Sequence, residues 1–67
     1  PAKHFITVEL FYENDTELNL FDVSGKLVLS KMTTESTTLP VKDLPQGIYF
    51  LKVQTHEKTG TYKIIKA

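Results

Sequence analysis

Leu44-Pro45-Gln46-Gly47-Ile48-Tyr49-Phe50 decides how the rest of this sequence is read. Proline fixes one backbone angle of a corner, the glycine after it permits a positive φ, and the leucine ahead of both fills a core position. Tyr49 then enters the core with a hydroxyl placed to bond back to the backbone of the corner, an arrangement known as a tyrosine corner. The corner feeds the strongest strand pattern in the chain, Ile48 to Thr55, where Tyr49, Leu51 and Val53 share one face.

Upstream, the period-two pattern continues. Ile6, Val8, Leu10 and Tyr12 alternate with Thr7, Glu9 and Phe11, which predicts a first strand from His4 to Tyr12. Glu13-Asn14-Asp15-Thr16 reads as a polar turn, and Leu18 and Leu20 then point one way while Glu17, Asn19 and Phe21 point the other. Asp22-Val23-Ser24-Gly25 predicts a type I turn with a G1 bulge, glycine taking the left-handed position. A third strand follows from Lys26 to Met32. Its inward set is ambiguous, and Val28 is expected inward because a bulge at Gly25 changes the phase. Thr33 to Thr38 is a Thr-rich crossing. It leads to a short strand at Thr38-Leu39-Pro40-Val41, placed at an edge because Pro40 has no N–H for a ladder. His56 to Gly60 reads as a hairpin loop, and Thr61 to Lys66 as a closing strand with Tyr62 and Ile64 on one face.

The prediction is therefore an all-β chain, an immunoglobulin-like antiparallel β-sandwich of six or seven short strands forming one domain over residues 1–67. Composition agrees. Thr, Val and Ile supply 18 residues and Phe plus Tyr another 7, a β-leaning mixture. A chain of 67 residues buries only about 60% of its unfolded surface, too thin a core for a catalytic domain with a substrate domain beside it. Eight Lys, no Arg and eight acidic residues leave no net field for a polyanion, so nucleic acid is a poor partner. Without cysteine there is no disulfide, thiolate metal site or thiol nucleophile. No apolar run is long enough to span a membrane, and the abrupt start at Pro1-Ala2 suggests a piece of something longer.

Chemistry-bearing groups are sparse, and no catalytic, cofactor or metal residue is assigned. His56-Glu57 begins like a zinc-protease motif, but Gly60 stands where the second histidine belongs. His4 reads as a surface position, Ser24 as a turn residue and Ser30 as a strand-face residue. Asp22 and Asp43 read as turn and corner carboxylates accepting backbone N–H bonds. Asn14-Asp15-Thr16 satisfies the glycosylation triplet, which turns produce by chance. Lys58, Lys63 and Lys66 discourage edge-to-edge pairing. Phe11, Phe21 and Phe50 fall on the face opposite their strands' main apolar sets, where they would form an apolar docking patch or lie beneath loops or a neighbouring domain.

In order and spacing, Leu18 to Val28 with its Asp22-x-x-Gly25-Lys26 hairpin, Leu39 to Val53 with its Leu44-Pro45-x-Gly47-x-Tyr49 corner, and the basic end Lys63-Ile64-Ile65-Lys66 resemble the type A C-terminal sorting domain of the type IX secretion system. The resemblance covers nearly the whole chain. It implies a non-enzymatic secretion signal of Bacteroidota, without cofactor, that follows an N-terminal cargo. The cargo would cross the periplasm, be recognised by the outer-membrane machinery and be secreted or displayed on the cell surface, with a sortase-like peptidase removing the domain. Asp22, Gly25, Lys26, Leu44, Pro45, Gly47 and Tyr49 carry over as structural motif residues. Lys63, Ile64, Ile65 and Lys66 carry over as the machinery contact, through a folded surface or strand addition at an edge. The chain starts within the family's opening Pro-Asn-Pro-Ala, which puts the cleavage site upstream, and Ala67 follows the usual terminal lysine. An exposed edge also allows a strand-exchanged dimer. The competing expectation is a carbohydrate- or protein-binding sandwich appended to an extracellular enzyme.

Overall fold

The computed structural model describes residues 2–10 and 14–67. Six strands form in these residues: β1 (Phe5–Val8), β2 (Thr16–Asp22), β3 (Leu27–Thr33), β4 (Thr37–Pro40), β5 (Gly47–Gln54) and β6 (Thr59–Lys66). They make a four-stranded antiparallel sheet in the order β3-β2-β5-β6 and a two-stranded antiparallel sheet, β1-β4. The fold is all-β, a small two-sheet sandwich. Among the described residues no helix is long and apolar enough to cross a membrane.

The alternation read from the sequence sets which side chains meet. Leu18, Leu20, Tyr49 and Leu51 from the large sheet close on Ile6, Val8 and Leu39 from the small one, with Val41 beside them. Leu18, Leu20 and Leu39 have no exposed surface at all. Each such side chain contributes about 1.5–3 kcal/mol by leaving water, which is where a domain this thin finds its stability. Pro40 stands in a two-stranded sheet, where every strand is an edge, opposite Phe5.

Several local expectations need correction. Among the described residues the first strand pairs over Phe5–Val8, matched to the four residues of β4. Tyr12 and Phe11 lie outside the described residues, as does Glu13. Thr16 opens β2 rather than belonging to the turn. It is 1% exposed, and its hydroxyl donates to the Asn14 carbonyl at 2.9 Å. On β3 both Val28 and Leu29 are half-buried against the core. Leu29 stands opposite Leu20, and the register slips between Leu20 and Phe21, so one extra residue lets neighbouring side chains reach the same side. Val28 is thus inward as expected, but Ser30 and Met32, which alternate with it, are exposed. The loop before β6 is tighter than expected, since Gly60 is already in the strand and the turn closes with Thr55 N–H on the Lys58 carbonyl at 2.8 Å.

Candidate recognition site

The hairpin, the corner and the last strand are distant in sequence, but strand register brings them to one end of the large sheet. Asp22 stands opposite Tyr49, and Tyr49 opposite Ile64. Gly47 stands opposite Lys66.

At the corner, the Tyr49 hydroxyl donates to the Pro45 carbonyl at 2.6 Å while the ring lies 5% exposed in the core. Leu44 is half-buried against the same core, its N–H donating to the Val41 carbonyl at 3.0 Å, and Pro45 is exposed. Gly47 has φ +154°, and a Cβ there would meet nothing within 4 Å. Glycine is needed for the backbone angle and not for room.

The hairpin is built around one carboxylate. A single oxygen of Asp22, Oδ1, accepts from the Ser24 N–H at 2.9 Å, the Ser24 hydroxyl at 2.7 Å and the Lys26 N–H at 3.0 Å. The backbone adds Gly25 N–H to the Asp22 carbonyl and Asp22 N–H to the Lys26 carbonyl, each 3.0 Å. Gly25, at φ +88°, supplies the left-handed residue. The Ser24 hydroxyl first, then the Lys26 N–H, hold the Asp22 carboxyl below its ordinary value of 3.8, because each bond favours the charged form. The Lys26 side chain is exposed.

The last strand divides its residues between two faces. Ile64 is half-buried on the core side, and Lys66 is only 8% exposed, its ammonium donating to the Ala67 carbonyl at 2.8 Å. Lys63 and Ile65 are the accessible pair, on the outer face. There they join a cross-strand cluster: Leu27 opposite Phe21, Phe21 opposite Phe50, Phe50 opposite Lys63, and Ile48 opposite Ile65 in the next row. Leu27, Ile48, Phe50 and Ile65 are all exposed. The outer face of a sandwich sheet is normally polar, so this end presents an apolar patch with a lysine at its rim. Phe21 and Phe50 were visible in the sequence by their phase. Leu27 and Ile48 carry no such mark, and Ile65 stands out only as part of the basic end; register shows that all three adjoin the two phenylalanines.

The remaining polar side chains do structural work. The Ser30 hydroxyl donates to Asn19 Oδ1 at 2.7 Å across the β2-β3 pair. His56 lies in an exposed loop, 3.6 Å from Glu57. His4 is exposed, and among the described residues no group of His, Asp and Glu could hold a metal ion.

Among curated proteins no relative matches the chain. The model of one family, described as a secretion system C-terminal sorting domain, matches residues 1–67. This family is not catalytic; it follows a cargo that is secreted or attached to the surface, and it interacts with the secretion machinery. With the hairpin, corner and terminal strand assembled in one sheet and the match running the length of the sequence, the chain belongs to the C-terminal sorting domains of type IX secretion.

Proposed function

We propose that this domain, itself without enzymatic activity, conducts its cargo from the periplasm across the outer membrane by presenting the outer face of the large sheet to the machinery. Lys63 and Ile65 make the contact together with Ile48, Phe50 and Leu27. A sortase-like peptidase then cuts upstream of Pro1 during surface attachment. The observation that carries this reading is the apolar patch on a face that should be polar, at the end where the motif residues meet. Of the terminal residues, Ile64 and Lys66 serve the fold, and they hold Lys63 and Ile65 in register. Asp22, Gly25, Lys26, Leu44, Pro45, Gly47 and Tyr49 act by shaping the sheet end beneath the patch.

The test replaces the patch without opening the fold. Ile48→Lys with Ile65→Glu exchanges an exposed apolar pair for an opposite-charge cross-strand pair, which sheets tolerate. Surface display of the cargo is expected to fall about tenfold, the scale of one modest hot-spot contact, with the cargo retained in the periplasm and the unfolding midpoint nearly unchanged. Undiminished display by a folded double variant overturns the reading.

A further inference from the structure

The Ala2–Lys66 contact is a parallel bridge in an otherwise antiparallel fold. Ala2 N–H donates to the Ile65 carbonyl at 2.8 Å, and Ala67 N–H donates to the Ala2 carbonyl at 2.7 Å. These bonds show which backbone groups of β6 look away from β5. Since bonding direction alternates along a strand, the edge groups are those of Ile65, Lys63 and Thr61. Among the described residues, β6 has no strand partner on this edge, only the bridge to Ala2.

Beside that edge lies open space. A cleft of about 390 Å³ starts at Ala2 and runs between Phe5, Ile6 and Thr7 on one side and Lys63 to Ile65 on the other. A second cleft of about 610 Å³ continues from Ile6 through Val8 to Leu10 along Tyr62 and Ile64, with Leu51 and Val53 at its floor. Tyr62 points to the core side by register, opposite buried Leu51, and is nevertheless 57% exposed. It lines the second cleft, across from Ile6 to Leu10.

We infer that the residues immediately preceding Pro1, the linker from the cargo, form a further strand of this domain, parallel to β6 and filling the cleft between β6 and β1. Direction identifies the occupant. Ala2 runs parallel to β6, so a strand continued upstream at the same register passes Ile64, then Tyr62, then Gly60. The edge back to Gly60 accommodates about five such residues at one per partner. The first and third residues before Pro1 would each donate an N–H to β6 and accept one, from Ile65 and from Lys63. The second and fourth residues before Pro1, which alternate with them, would turn their N–H groups away from β6. The linker strand covers Tyr62 and closes an edge that would otherwise template pairing with other chains. The inference uses the family's placement of cargo before the domain and does not depend on which face the machinery reads.

The experiment is hydrogen exchange at single-residue resolution in the full-length cargo protein. The Ile65 and Lys63 amides are expected to exchange at least about tenfold more slowly than unpaired strand amides. Prolines placed at the first and third residues before Pro1 should abolish that protection, and prolines at the second and fourth should leave it. Free exchange at both amides in the unaltered protein overturns the inference, as does protection that neither proline pair disturbs or that both disturb alike. Display can fail in the patch variant while this readout stands.

Discussion

The corner at Tyr49 and the hairpin at Asp22 stand opposite each other in the same sheet and are built on opposite economies. The corner uses one side-chain hydrogen bond on a buried ring. The hairpin gathers three bonds on one carboxylate oxygen at the surface. Counting bonds would rank the hairpin first. Burial reverses the order, because water competes for every bond at Asp22, whereas the Tyr49 ring excludes water from the core and its hydroxyl is committed to the Pro45 carbonyl.

The largest expected effect follows from that ranking. A domain of 67 residues is stable by about 3–10 kcal/mol in total. Tyr49→Ala removes a buried aromatic ring, a change that costs about 3–5 kcal/mol. Denaturant titration of the cargo-bearing protein should find that this domain has lost from about a third to all of its stability, and a midpoint near that of the unaltered protein would break the comparison outright. Gly47→Ala comes next at about 1–3 kcal/mol, since the added Cβ has room but the backbone angle of +154° does not suit it. Tyr49→Phe separates ring from hydroxyl. It should cost about 1 kcal/mol by leaving the Pro45 carbonyl without its donor. An unchanged midpoint for Tyr49→Phe would mean that the corner is held by packing alone.

The same contrast explains what could be read in the sequence. Tyr49 and Gly47, Leu18 and Leu20, and the Asp22 to Gly25 turn are local devices, in which residue type and spacing within a few positions determine the outcome. Thr16, Leu29 and Lys66 are settled at a distance. Thr16 joins the core face of Leu18 and Leu20 because β2 extends to it by pairing with Thr33, and Leu29 does so because the ladder slips beside Leu20. Lys66 is covered near the corner, where it pairs with Gly47 and with Ala2 from the other end of the chain. No period within a strand encodes such pairings. The patch has the same character: its phenylalanines stand out by phase, but their joining to Ile48 and Ile65 depends on three ladders being in register at once.

The smallest effect belongs to the hairpin, and pH gives its sign. The Asp22 carboxyl is held below its ordinary value of 3.8 by the Ser24 hydroxyl and the Lys26 N–H. Its contribution is therefore complete above the ordinary carboxylate value and is lost as pH falls through the lowered one. Asp22→Asn keeps an acceptor for the three donors but removes the charge that strengthens them. The variant should be slightly less stable than the unaltered protein at neutral pH, by less than Tyr49→Phe, and the two stability curves should converge as acidification carries the Asp22 carboxyl through its lowered value. A difference that persists undiminished in acid would show that the hairpin depends on the shape of the aspartate and not on its charge. A difference larger than that of Tyr49→Phe at neutral pH would invert the ranking by burial and make the exposed hairpin the stronger clasp at this end of the sheet.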